Sequence, residues 1–169
     1  MPVPPQSPRR KPLRIRGYDY STPGYYFITI CTHERRLLLT SAHVRAAVTT
    51  AWLDLPRRFP SVSLDAFVVM PNHVHGIVIL TADRGPSLGQ VARAFKSISA
   101  IEANRLLDRA TEPLWQRNYY ERVVRREREL ESVREYIALN PARWEDDPEN
   151  PANWHRACAR AQQAGAPAG

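Results

Sequence analysis

The run from Tyr25 to Thr32, Tyr-Tyr-Phe-Ile-Thr-Ile-Cys-Thr, is aromatic and β-branched and follows a Pro23-Gly24 turn signal, which predicts a strand with both faces at least partly covered. Val44, Ala47, Val48, Ala51, Trp52 and Leu55 then recur at helical spacing, with Pro56 expected to close the helix and Trp52 to anchor the core. Two short apolar runs, Leu64 to Met70 and His73 to Leu80, flank Pro71-Asn72 and read as a hairpin, although Pro-Asn is not the favoured two-residue turn. Ser87 followed by Gln90 has the form of a capping box, and Leu88, Val91, Ala92, Phe95 and Ile98 give the helix behind it an apolar stripe. The mixed run Leu114 to Val124 suits a strand or extended segment. Glu127 to Asn140 is the last helix, its inward stripe being Leu130, Val133, Ile137 and the alkyl stem of Arg134, and Pro141 disfavours its continuation.

The order strand, helix, hairpin, helix, strand is that of a ferredoxin-like βαββαβ split unit. The expected class is therefore α+β, with a mainly antiparallel sheet, helices on one face, and the helix of Tyr136 added at the C-terminal side. At 169 residues the chain fits one domain. The expected division is a basic, Pro-rich mobile arm over 1–16, a folded domain over 17–145, and an acidic turn-rich segment with a disordered tail over 146–169.

Charge narrows the partner. With 24 Lys and Arg against 17 Asp and Glu, the formal charge is +7, which favours a polyanion, nucleic acid first and an anionic membrane surface second. No apolar run reaches the roughly 18 residues of a spanning helix. The first eleven residues are basic but have no apolar signal-peptide core, so a cytoplasmic protein without a membrane partner is expected. Cys31 and Cys158 are far apart and outside any CxxC spacing, which implies neither a disulfide framework nor a zinc knuckle.

The candidate chemistry begins at His73 and His75. Two apart in a strand, they face the same way with Val74 opposite, and two neutral imidazoles so placed can share one divalent cation. Their face continues through Ile77 and Ile79, and burying the rings without partners would cost about 1 to 3 kcal/mol each. A ligand, a hydrogen-bonding neighbour or water is expected beside them; a partly exposed polar face is the alternative. Tyr136 and Asn140, four apart, share one helix face, where a core-edge tyrosine and a helix-terminal asparagine would also fit. Arg14, Arg16 and Tyr18 in and after the basic arm, Lys96, and the aromatic-basic group Trp115, Arg117, Tyr119 and Arg122 are candidates for single-stranded nucleic acid, rings stacking on bases and cations tracking phosphates. For each the alternative is a solvated face or a core plug.

Four stretches carry a resemblance: Gly24 to Thr29 (Gly-Tyr-Tyr-Phe-Ile-Thr), Met70 to His75 (Met-Pro-Asn-His-Val-His), Trp115 to Glu121 (Trp-Gln-Arg-Asn-Tyr-Tyr-Glu) and Tyr136 to Pro141 (Tyr-Ile-Ala-Leu-Asn-Pro). In order and spacing they resemble the REP-associated tyrosine transposases, relatives of the IS200/IS605 single-strand transposases, over roughly residues 14 to 145. The resemblance implies an HUH-type domain with Tyr136 as its single catalytic nucleophile and His73, His75 and Asn140 as metal ligands, Asn140 standing where insertion-sequence relatives have Gln. It further implies Mg²⁺ or Mn²⁺, Glu121 as an accessory group, and a single-stranded REP-type hairpin cleaved through a 5′-phosphotyrosine. A monomer or a homodimer would both fit, Tyr136 acting in its own chain or in its partner. Two other classes stay open: a non-catalytic, domesticated single-strand nucleic-acid-binding module, and a metal-dependent nuclease using water. Neither would need Tyr136.

Overall fold

The computed structural model describes residues 17–153; the N-terminal arm with Arg14 and Arg16, and the tail beyond Asn153, lie outside the described residues. The elements are β1 (Gly24–Cys31), α1 (Ala42–Leu53), α2 (Leu55–Arg58), β2 (Val62–Met70), β3 (His73–Leu80), α3 (Leu88–Leu106), β4 (Tyr120–Val124) and α4 (Glu127–Leu139), with 3-10 turns at His33–Arg35 and Pro141–Asp146. The sheet order is β2-β3-β1-β4, and every neighbouring pair is antiparallel. This is the expected ferredoxin-like α+β arrangement.

Strand alternation divides the apolar side chains between two faces. Tyr26, Ile28 and Ile30 of β1 and Val74, Val78 and Leu80 of β3 pack with Val44, Val48 and Trp52 of α1 and Val91 and Phe95 of α3. The opposite face carries Phe27, Ile77 and Val124, which meet Leu130, Val133 and Ile137 of α4. The added helix thus covers the face that α1 and α3 leave bare. A register shift between Leu64 and Phe67 in β2 leaves Ala66 and Val68 toward α4 while Leu64 and Phe67 stay with the larger core. Asp65, inside that shift, reaches α4 and accepts from Arg134 Nε at 3.1 Å and Nη2 at 2.7 Å. The Arg134 bonds hold the Asp65 carboxyl below the ordinary aspartate range.

Several boundaries differ from expectation for identifiable reasons. α1 ends at Leu53, and Pro56 sits in the first turn of α2, where a missing N–H loses no helical bond. Only Tyr120–Val124 of the 114–124 run joins the sheet as β4. Leu114 and Trp115 are buried in the main core instead, tied to β1 by a single bridge between Thr32 and Trp115. The capping box forms, Ser87 Oγ accepting from Gln90 N–H and Gln90 Oε1 from Ser87 N–H. The 146–153 stretch does not trail away from the domain: Asp147 and Asn150 are buried, and Glu149 pairs with Arg35. Among the described residues no helix is long and apolar enough to cross a membrane.

Gly76, next to His75, is required by close packing. A Cβ there would lie 2.6 Å from two carbons of the Trp52 ring and 3.1 Å from Phe67. Trp52 cannot swing away, because it is stacked on Phe67 at 4.4 Å and edge-on to Phe95 at 5.5 Å. Gly76→Ala is expected to lower unfolding free energy by about 1 to 3 kcal/mol through overpacking, read by urea denaturation. Asp65→Asn tests the tie between β2 and α4. Because the folded pKa of Asp65 lies below its unfolded value, the pair's stabilisation is complete above about pH 3.9 and disappears as pH falls through the depressed pKa. With Arg134 about a third exposed (36%), the loss at pH 7 is expected near ~0.5 to 1 kcal/mol, narrowing toward zero in acid when both proteins are unfolded in parallel.

Candidate active site

β3 carries both histidines on the α4 side of the sheet, where the β1 ladder sets His75 opposite Thr29 and His73 opposite Cys31. The rings are 0% and 3% exposed for His73 and His75. Each has its Nδ1 engaged, His73 with Asn72 Oδ1 at 2.9 Å and His75 with Thr29 Oγ1 at 2.8 Å. The Asn72 amide is oriented by its own donor bonds, Nδ2 to Arg35 O at 3.1 Å and to Glu149 O at 2.7 Å. Its Oδ1 can only accept, so His73 Nδ1 is the donor and His73 Nε2 carries a lone pair. Burial, then the neighbouring His75 and Arg35, push the His73 pKa down to about 2, so the ring is neutral at any ordinary pH. The two Nε2 atoms approach to 3.0 Å. That is the orientation in which imidazoles ligate a cation, each held from behind by a hydrogen bond.

α4 brings Tyr136 to this pair. Its hydroxyl is 3.4 Å from His75 Nε2, and its ring stands edge-on to His75 at 5.2 Å and to Phe27 at 6.1 Å. The side chain is 42% exposed, so the hydroxyl lies at the histidines while the ring stays open to a ligand. One turn on, Asn140 caps α4 and is buried, and its Oδ1 has no hydrogen-bond partner among the described residues. A buried carbonyl oxygen so left suits a cation. Among the described residues no three His, Cys, Asp or Glu side chains form a ready-made metal cluster. Imidazole nitrogens and a carbonyl oxygen are donor types that divalent cations accept.

His75 and Tyr136 open onto a cleft of about 1200 Å³ rimmed by Arg122, Arg125, Arg126 and Arg128. Arg122, expected to meet nucleic acid, is exposed there and paired with Glu129. Arg125, Arg126 and Arg128 lie outside the aromatic-basic run that pointed to Arg122 and were not among the expected nucleic-acid contacts. Thr29 and Asn72 were also missed as orienting groups. The cue for Asn72 lay beside the histidines; that for Thr29 lay in a register visible only after folding.

Other candidates are placed elsewhere. Trp115 is 6% exposed, packs on Phe95 at 5.7 Å and donates Nε1–H to Ser99 Oγ at 2.9 Å, so neither face can take a base. Lys96 donates to the carbonyls of Gln116 at 2.7 Å and Arg117 at 2.9 Å, pinning the approach to β4 rather than reaching a phosphate. Tyr119 is half-buried against the main core. Tyr18 is half-buried too, its hydroxyl 3.2 Å from that of Tyr26, its ring edge-on to Tyr20 at 4.9 Å and under the Arg125 guanidinium at 5.9 Å. Arg117 is exposed. Glu121 stands opposite Ile28, whose side chain packs with the α1/α3 core, and is buried at the edge of the cleft that His75 and Tyr136 also line.

A sheet with paired imidazoles on one face and a helix-borne tyrosine against them forms the candidate site, and sequence comparison gives its family. Residues 21–140 match the family described as "Transposase IS200 like", and the chain belongs to it. An "uncharacterized protein" of Haemophilus influenzae is 31% identical over 82% of this chain and 91% of its own length. Among solved structures, a REP-associated tyrosine transposase bound to a REP hairpin matches with a TM-score of 0.58 at 23% identity, over 77% of this chain and 73% of that one. At that identity the likeness concerns the fold. Asn72→Ala is expected to cost about 1 to 3 kcal/mol, because it strands His73 Nδ1 and two carbonyls in a buried place; urea unfolding at neutral pH measures it.

Proposed function

We propose that this transposase is a single-stranded DNA endonuclease and strand transferase, which recognises a REP-type hairpin and cleaves it through a 5′-phosphotyrosine on Tyr136. The observation that carries this reading is the approach of the Tyr136 hydroxyl to 3.4 Å from the Nε2 of His75, itself 3.0 Å from that of His73. The contact lies within one chain, which supports Tyr136 acting in its own site. The net charge of +7 and the arginine-rimmed cleft suit a polyanionic strand, and the REP hairpin is the ligand of the solved relative.

His73, His75 and Asn140 would hold the cation, Mg²⁺ or Mn²⁺, which supplies Lewis-acid polarisation of the scissile phosphate when bound. The chain's own groups do the positioning. Thr29 and Asn72 fix the imidazoles from behind, and the edges of Phe27 and His75 hold the tyrosine ring. Arg122, Arg125, Arg126 and Arg128 draw phosphates along the cleft. In the reaction the Tyr136 oxygen gives up its proton and forms a bond to phosphorus, the bond from phosphorus to the 3′ oxygen breaks, and that oxygen leaves as a 3′-hydroxyl. The phosphodiester's energy is retained in the tyrosyl ester, which suits rejoining rather than hydrolysis.

The test is incubation of end-labelled single-stranded REP-type hairpins with Mn²⁺ or Mg²⁺, run on denaturing gels beside Tyr136→Phe. The expected product is protein linked to the 5′ phosphate of the downstream strand, absent from the variant and from chelated samples. Cleavage that survives in Tyr136→Phe with no adduct would instead identify a water-using nuclease, and binding without cleavage a non-catalytic module.

A further inference from the structure

β4 forms one wall of the cleft, and as an edge strand it has only β1 beside it in the sheet. Tyr119 packs on the main core, whereas Tyr120 and Arg122 turn to the α4 face and line the cleft. Thr29 of β1 is the register partner of Tyr120 on one side and of His75 on the other, so the three side chains stand in one row across the sheet. Two strand spacings, about 10 Å, separate the ends of that row. Phe27, two residues back along β1, lies between the two tyrosines: the Tyr120 ring is edge-on to it at 6.3 Å and the Tyr136 ring at 6.1 Å. Phe27 itself is 8% exposed, while Tyr120 is half-buried.

From this arrangement we infer that Tyr120 is a stacking platform for an unpaired nucleobase, the base of a nucleotide next to the phosphate that Tyr136 would attack. The inference rests on the reading of the cleft as the seat of a single DNA strand. An unpaired base sheds water from its flat faces when it lies on an aromatic ring. Among the rings that line the cleft, Phe27 and His75 are buried, and Tyr136 is the group that reading commits to the phosphate. Tyr120 is the ring that remains for a base. A base extended along the row from a phosphate at the Tyr136 hydroxyl meets the Tyr120 ring, with Thr29 and Phe27 beneath it. The charges around the ring suit the same ligand, since Arg122 follows two residues on and Arg125, Arg126 and Arg128 rim the same cleft, which sets an aromatic platform among cations as a single-strand groove requires. A ring accepts any base, so Tyr120 adds affinity without reading sequence. Its contribution is positional: a nucleotide held at its base has its phosphorus fixed relative to Tyr136.

The opposing account makes Tyr120 only an apolar plug beside Phe27. Two end-labelled probes of equal charge separate the accounts: oligo-dT, and an abasic deoxyribose-phosphate strand of the same length, each titrated against the full chain by fluorescence anisotropy. The wild-type protein is expected to bind oligo-dT roughly 5- to 100-fold tighter than the abasic strand. Tyr120→Phe keeps that ratio. Tyr120→Leu retains the apolar bulk but not the aromatic face, and lowers the ratio at least about fivefold with affinity for the abasic strand unchanged. Equal affinity of the wild type for the two probes overturns the inference, as does a ratio that Tyr120→Leu leaves intact. A loss that falls on both probes alike marks Tyr120 as structural and overturns it too. A wild-type protein that binds neither probe also overturns it, while the tyrosyl adduct on denaturing gels decides separately on the reading beneath. Should Tyr120→Leu not fold, the wild-type protein answers through its ring-labelled tyrosines, the Tyr120 resonance being assigned by its loss in Tyr120→Phe. Oligo-dT must move that resonance upfield by the ring current of the base and the abasic strand must not; a resonance that responds to both alike, or to neither, overturns the assignment.

Discussion

The side chain of Asn72 is the point on which the site depends. It sits in the β2–β3 turn, fully buried, and its amide donates to the carbonyls of Arg35 and Glu149 while its oxygen accepts from His73. Its own carbonyl accepts from the backbone and the hydroxyl of Thr32 at the end of β1. One residue therefore joins the histidine strand, the loop after β1 and the chain beyond α4, and sets the tautomer of His73 as well. A buried amide with every group engaged is expensive to replace, since each lost partner leaves a desolvated group behind.

The sheet separates stability from chemistry. Its α1/α3 face holds the larger apolar core, including Trp52, Phe95 and Trp115, and tolerates no added atom at Gly76. Its α4 face has a smaller apolar patch under Leu130, Val133 and Ile137, leaving room beside it for His73, His75 and Tyr136. The Asp65–Arg134 bonds and that patch fasten α4 to the sheet, while the arginines ahead of and within its first turn face the cleft.

Most of the fold was legible because apolar periodicity is local: the strands, the helices and the Ser87 capping box all follow from spacing within a dozen residues. The histidine pair and the shared face of Tyr136 and Asn140 were legible for the same reason. What failed depended on tertiary placement. Trp115 and Lys96 have the composition of a nucleic-acid groove, yet packing against Phe95 and the carbonyls of Gln116 and Arg117 consumes them. Glu121 follows Tyr120 in sequence, but only the β1 register sets it opposite Ile28, at the edge of the cleft. The acidic 146–153 stretch has the look of a tail, and only the contacts of Glu149 with Asn72 and Arg35 reveal it as part of the domain.

The anchoring of α4 at both ends has a consequence for entropy. Its body is bonded to β2 through Arg134, and its C-terminal extension is bonded to the Asn72 turn through Glu149, with Tyr136 between these two attachments. A side chain on a helix free to roll or fray would have to be ordered anew for each encounter with a ligand. Here the backbone freedom of Tyr136 is surrendered once, during folding, and its hydroxyl needs only the residual torsions of its own ring to align.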